Sequence, residues 1–191
     1  MAGRLTIGVL ALQGNFNQHI QMLNSLSVKS IKIKYGYQLD SCGALIIPGG
    51  ESTAISKLIF KARMHETISE FSKTRPVFGV CAGMILLSSN TDTNNLKTLK
   101  IMNYKVKRNA FGSQINSFSD KIKIKNFDNK FKAVFIRAPK VYKASSKIEI
   151  LSIYNDEPVM IRENNHICTT FHPELTNDLR IHKYFIDIAN E

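Results

Sequence analysis

The chain has 191 residues, 43% of them hydrophobic and 21% charged, with a formal net charge of +11. That length suits a single domain, 1–191, with a substantial core, and the composition excludes a disordered chain. The longest apolar run, Val77 to Leu87, falls short of the ~20 residues that a bilayer-spanning helix needs, so no membrane partner is expected. Cys42, Cys81 and Cys168 are odd in number and have no C-x-x-C spacing. A disulfide framework and a structural zinc site are therefore not expected, and a reducing, cytoplasmic setting is.

The first residues, "MAGRLTIGVLALQGNF", superficially resemble a signal peptide, with Arg4 ahead of an apolar stretch. They lack an A-x-A-like cleavage site and read as a strand running into a turn. Leu5 to Leu12 is a continuous apolar run, as a strand buried on both faces requires. Asn15 or Asn17 is placed to cap a helix in which Ile20, Leu23 and Leu26 recur at helical spacing. "VKSIKIK" alternates as a strand does, and "GALIIPGG" is a short buried strand ended by Pro48, Gly49 and Gly50. Ser52 opens a helical segment through Leu58 and Ile59, and a second ends near Lys73. "PVFGV" is the next buried strand, and "CAGMILLS" begins another helix. This alternation predicts an α/β fold, a mainly parallel twisted sheet with helices on both sides in three layers.

Residues 91–100 are polar and read as a surface loop. Strand-like pieces follow: "NYKVKRN", "DKIKIKNF", "KAVFIRA", "KIEILSIY", "PVMIRE" and "HICTTF". Leu179, Ile181, Tyr184, Phe185 and Ile188 then mark a closing amphipathic helix over Asp178 to Ala189. Basic proteins often bind nucleic acid. Here the lysines alternate with Ile, Phe and Val, which is the pattern of strands with one solvated face. Surface charge without a nucleic-acid partner is the reading adopted, and a basic nucleic-acid-binding module is its rival.

Three stretches carry chemistry. "GVCAG", Gly79 to Gly83, follows a strand and precedes a helix, in the G-x-nucleophile-x-G form of a nucleophile elbow. A helix N-terminus behind Cys81 would favour its thiolate, whereas the plain alternative is a buried structural cysteine. "TTFHPEL" sets His172 and Glu174 on either side of Pro173, so an imidazole that can take a thiol proton lies beside a carboxylate that can orient it. "PGGESTA" ends a strand and opens a helix. Its glycines let backbone N–H groups approach a ligand, with Ser52 as N-cap and Glu51 adding favourable charge. His19, His65, His166 and His182 have no evident partners in sequence, and Cys42 and Cys168 read as core residues.

The segments "GVLALQGNF", "LIIPGGEST", "PVFGVCAGM", "RNAFGSQINSF", "FIRAP" and "FHPELTND" occur in an order that resembles the glutaminase subunits of pyridoxal 5′-phosphate synthase, from Ile7 to Phe185. These are class I, Cys-His-Glu glutamine amidotransferases. The resemblance implies a flavodoxin-like class I amidotransferase fold and hydrolysis of L-glutamine to L-glutamate and ammonia. Cys81 matches the nucleophile, and His172 and Glu174 its relay partners. Gly49, Gly50 and Glu51 match positions that hold glutamine and line the oxyanion site, to which Ala82 adds the N–H after the nucleophile. Arg108, Ile136 and Arg137 match other glutamine-binding positions, and Gln13 a residue near the site and the partner-facing surface. The resemblance further implies no metal or organic cofactor, and a synthase subunit as ammonia acceptor. Ser113 stands where such subunits commonly carry Arg. A glutaminase subunit serving another class I amidotransferase is the nearest alternative. Arg137 also has a plain reading, as a charge at a strand edge.

Overall fold

A computed structural model describes residues 5–108 and 117–191. Ser113, and the "RNAFG" stretch beyond Arg108, lie outside the described residues. In chain order, β1 (Thr6–Leu10) leads through α1 (Phe16–Ser25) to β2 (Lys29–Ile33), then a 3-10 turn (Gly36–Ser41) and β3 (Ala44–Ile47). Two helices follow, α2 (Ser52–Lys61) and α3 (Met64–Ser72), then β4 (Val77–Val80) and α4 (Ala82–Leu87). The second half is mostly strand: β5 (Asn90–Thr91), β6 (Tyr104–Lys107), β7 (Ser117–Ile122), β8 (Phe131–Ile136), β9 (Lys140–Ala144), β10 (Glu149–Tyr154), β11 (Glu157–Glu163) and β12 (His166–Thr169). A second 3-10 turn (Pro173–Leu175) and α5 (Arg180–Ala189) close the chain.

The main sheet runs β10-β11-β12-β4-β3-β1-β2. Its stretch β2-β1-β3-β4-β12 is parallel, and β10 and β11 extend it as antiparallel strands. Counting only the parallel strands gives the doubly wound 2-1-3-4-5 order, which opens a crevice at the carboxyl ends of β1 and β3. The predicted three-layer α/β class is the observed one.

The strand pleat sorts the core. On β3, Leu45 and Ile47 point into one apolar layer with α2, α3 and α4, while Ala44 and Ile46 point into the other with α1, α5 and the β7-β8 hairpin. Side chains alternating at period two explain why these central strands read as unbroken apolar runs. The basic strands do show a solvated face: Lys121, Lys123 and Lys125 are exposed, whereas Ile122 and Ile124 are buried.

Several local expectations need correction. The 91–100 loop yields its first residue to β5, which pairs with β6. β9 was not anticipated; its Val141 is the residue that enters the core, and the neighbouring lysines hide so short a signal. The "DKIKIKNF" strand begins earlier than expected, at Ser117, and ends at Ile122, because register with β8 stops at the Ile122–Phe131 pair. Asn15 occupies the N-cap position of α1 without a side-chain cap bond. Glu51, not Ser52, caps α2: its carboxylate accepts from the backbone N–H groups of Thr53 at 3.0 Å and Ala54 at 2.6 Å. Among the described residues, no helix is long and apolar enough to cross a membrane.

Besides His172, three histidines are buried among the described residues: His19, His166 and His182. His166 accepts from the Val77 backbone N–H at 3.1 Å, tying β12 to β4, and burial pushes it down to about 4. Burial pushes His182 down to about 3 and lowers His19 as well. All three are neutral when folded, yet they titrate near 6.5 when unfolded. Their contribution to stability is complete above that value and is lost as pH falls below it. His166 and His182 should each take away about 1.4 kcal/mol per pH unit there, with His19 acting in the same direction, so urea midpoints should fall from neutral pH toward pH ~5. A midpoint flat over that interval would contradict the burial. Truncating the α2 cap, Glu51→Ala, should lower stability by about 1 kcal/mol in the same assay.

Candidate active site

Cys81 joins the end of β4 to the start of α4 with φ 48° and ψ −97°. A non-glycine residue held there is strained, and such strain persists only where the surroundings over-determine it. Here the Cys81 N–H donates to the Thr169 carbonyl of β12 at 2.8 Å, and its own carbonyl accepts from Ile85 at 3.1 Å. Gly83 completes the elbow, because a Cβ there would run into the Ile47 carbonyl. The side chain is 8% exposed, and its Sγ lies 3.7 Å from the Ile136 carbonyl oxygen.

Immediately beyond β12, the His172 N–H donates to the Val134 carbonyl of β8 at 2.8 Å, which fixes where the imidazole starts. Pro173 then turns the chain into a 3-10 turn carrying Glu174. His172 Nδ1 lies 2.7 Å from Glu174 Oε1, and the imidazole lines the same cleft as Cys81. Because the carboxylate accepts a hydrogen bond from Nδ1–H, Nε2 is the nitrogen left for sulfur. The ring packs on Gly49, where any Cβ would strike Cε1.

Electrostatics follows the contacts. Burial disfavours a charged His172, but its interactions with Cys81 and Glu174 outweigh that and raise it to about 10. Burial would likewise raise Glu174, yet the imidazoles of His19 and His172 hold it at about 2. His19 is itself driven neutral by burial, so it acts on Glu174 as an N–H dipole rather than as a cation.

The remaining predicted residues gather round a cleft of about 550 Å³, a size suited to a small ligand. Cys81, Ala82, His172, Gly50, Glu51, Arg108, Ile136 and Arg137 line it. Arg108 donates to Thr53 Oγ1 at 3.0 Å and to Glu51 Oε1 at 3.3 Å. Arg137 follows the last residue of β8 with φ 45°, so it stands both at a strand end and on the cleft wall. Gly49, Gln13 and Glu174 stand behind that wall: Gly49 under His172, Glu174 bonded to it, and Gln13 Oε1 accepting from the Glu51 N–H at 2.9 Å. The Asn15 N–H donates to the Gly49 carbonyl at 3.0 Å, so the loop after β1 braces the Gly49-Gly50-Glu51 turn. A larger surface hollow of about 750 Å³, lined by Lys132 and residues 175–179, holds neither a cysteine nor an imidazole.

Sequence reading missed three residues at this site. Asn15 Nδ2 donates to Glu174 Oε1 at 3.2 Å, and His19 Nε2 lies 3.6 Å from Glu174 Oε2. His182, from α5, stands behind His19 at 2.9 Å. The available signal was a histidine four residues before Leu23, on the stripe that a helix turns inward. Among the described residues, no cluster of three or more His, Cys, Asp or Glu could hold a metal ion.

The model of the SNO glutamine amidotransferase family matches residues 9–191. The pyridoxal 5′-phosphate synthase subunit PdxT of Thermosipho africanus is 42% identical over 98% of this chain and 100% of that protein. Its counterpart from Moorella thermoacetica is 44% identical over 95% of this chain and 98% of the relative. A crystal structure described as a glutamine amidotransferase superposes with a TM-score of 0.93 at 35% identity, covering 97% of this chain and 99% of that one. A match that runs through the elbow, the Gly49-Gly50 turn and the His172 turn alike has one meaning: the chain belongs to the SNO glutamine amidotransferase family.

Proposed function

We propose that the chain hydrolyses L-glutamine to L-glutamate and ammonia through Cys81, His172 and Glu174, and hands the ammonia to a pyridoxal 5′-phosphate synthase subunit. The observation that carries this reading is His172, hydrogen-bonded to Glu174 and lining the same cleft as Cys81, whose sulfur helps to raise it. The family membership and the names of the relatives support the substrate and the partner.

The steps follow from the groups present. His172, which holds a proton more firmly than an ordinary imidazole, carries the thiol proton at Nε2, and the Cys81 thiolate attacks the side-chain amide carbon of glutamine, forming a C–S bond. The oxyanion that develops is held by the Ala82 N–H and by N–H groups of the Gly49-Gly50 turn, where one donor contributes about 3 kcal/mol. The tetrahedral adduct collapses, the C–N bond breaks, and imidazolium gives its proton to the departing ammonia. Water, deprotonated by the freed imidazole, attacks the thioester; the C–S bond breaks, and glutamate leaves with the thiol restored. Glu174 holds the ring orientation and balances its charge throughout. Arg108, Arg137 and Glu51 provide opposite charges on the cleft wall for the α-carboxylate and α-ammonium of the amino acid. Free ammonia is protonated and lost in water, so a docked acceptor gives the reaction its use.

Cys81 should be the labelled residue when an electrophilic glutamine analogue is applied and peptides are mapped by mass spectrometry, with glutamine protecting it. The other two thiols are poor competitors: burial raises Cys42 and pushes Cys168 up to about 12. Modification of Cys42 or Cys168 in place of Cys81 would overturn the assignment. Glutaminase activity should rise when the synthase subunit is added, and full activity in the isolated chain would count against the coupling. Gly49→Ala, which pushes on His172, should lower kcat about a hundredfold, the usual result of a catalytic group moved by an ångström. An unchanged kcat would show that the ring does not depend on that contact.

A further inference from the structure

We propose that His19 and His182 extend the Cys81–His172–Glu174 array from its far side and act as positioning residues for Glu174. This inference rests on the glutaminase reading above.

The two oxygens of Glu174 are treated differently. Oε1 takes both hydrogen bonds, from His172 Nδ1 at 2.7 Å and from Asn15 Nδ2 at 3.2 Å. Among the described residues, Oε2 has no hydrogen-bond partner; it is buried, and His19 Nε2 stands 3.6 Å away. His19 Nδ1 in turn lies 2.9 Å from His182 Nε2. The side chains of His19 and Glu174 are both 0% exposed, and Phe78 of β4 sets its ring edge-on to both histidines. At 3.6 Å the His19–Glu174 contact is a charge–dipole contact rather than a full hydrogen bond. With water excluded, however, it is the polar contact that Oε2 has, and low local dielectric strengthens it.

The tautomers follow by elimination. Suppose His19 carried its proton on Nδ1 and donated to His182. Its Nε2 lone pair would then face a carboxylate, and the His182 proton would sit on Nδ1, which is buried without a partner. An unpartnered buried N–H is costly. In the other arrangement, His182 Nε2–H donates to His19 Nδ1, and His19 Nε2–H points at Glu174 Oε2. Only a lone pair, on His182 Nδ1, is then left over. Every donor in the row His182, His19, Glu174 and His172 therefore aims at the one carboxylate.

The consequence is functional. Glu174 can orient His172 only while ionised, and burial opposes its ionisation. His172 and Asn15 support one oxygen, and His19 supports the other. Two imidazoles kept neutral supply that support without placing a second buried cation beside the His172 imidazolium. Among the described residues, the ionisable groups around Glu174 are His172 on its own turn, His19 from α1 with His182 from α5 behind it, and Cys81 beyond His172.

The test compares wild type, His19→Leu, His19→Gln and His182→Leu as full chains with the synthase subunit added, measuring kcat, KM and melting temperature across acid and neutral pH. His19→Leu should lower kcat about tenfold, the effect of one lost polar contact to a charged group, leave KM unchanged and move the acid limb of kcat/KM to higher pH. His19→Gln, which keeps an N–H toward Oε2, should restore most of the rate and the profile. His182→Leu should fall between. An acid limb that stays put in His19→Leu, or rates in the Leu and Gln variants that fall alike and only with melting temperature, would overturn the proposal. Imidazole nitrogen shifts of wild type by NMR give a check that needs no variant: His19 should carry its proton on Nε2, and a proton on Nδ1 would overturn it. If wild type shows no glutaminase activity, or Cys81→Ala keeps it, the reading of the reaction fails instead.

Discussion

A carboxylate sealed from water sits at the centre of this molecule. The side chain of Glu174 is 0% exposed, and an ionised carboxylate in that position is tolerated only with donors around it. Those donors come from far apart in the chain. His172 is two residues away, but Asn15 and His19 belong to the first loop and helix. Satisfying one buried charge thus ties the end of β12 to the start of α1, across the parallel sheet. It also sets the angle at which His172 faces Cys81.

Sheet order makes that meeting possible. β12, β4, β3 and β1 are neighbours and parallel, so their carboxyl ends open on the same edge. The residues that follow them are His172, Cys81, Gly49 to Glu51, and Gln13 to Asn15 respectively. Four strand ends, adjacent in space, deliver four loops to one cleft, at the crevice where a doubly wound sheet accommodates ligands. β8 contributes from outside the main sheet: Val134 anchors the His172 backbone and Ile136 touches the Cys81 sulfur. The second half of the chain, which sequence patterning renders as a string of short strands, is thereby tied into the site.

What could be read from sequence divides along physical lines. "GVCAG", "HPE" and "PGGES" are contiguous, and each pairs a reactive or polar residue with a turn signal, so their places at strand ends and the parallel core were accessible. The cap of α2 was assigned one residue late, because Ser is an ordinary cap and Glu is not. Only the backbone geometry, φ −88° and ψ 108° at Glu51, shows which residue lies outside the helix. β9 escaped because one buried valine among lysines is too weak a periodic signal. His19 and His182 escaped for another reason. Their meaning depends on a contact across 163 positions, which no local pattern carries. Ile20 and Leu26, expected to lead the buried face of α1, are only partly buried, and His19 and Met22 occupy it together with Leu23.

The site is expensive for the fold. Cys81 holds a strained backbone conformation, a carboxylate and several imidazoles are desolvated, and a turn of two glycines gives up backbone entropy. None of these choices would survive selection for stability alone, since apolar residues of similar volume usually do as well as a buried polar set. They are held in place by two apolar layers on either side of a sheet whose central strands are almost fully buried. Leu45, Ile46 and Ile47 of β3 lead directly into the glycine turn, and Phe78 and Val80 of β4 lead into the elbow. The fully buried strands end where the strained and charged turns begin. That adjacency is what lets rigid strands hold strained, charged loops in register with one another, and so keeps the thiol, the imidazole and the carboxylate at working distance.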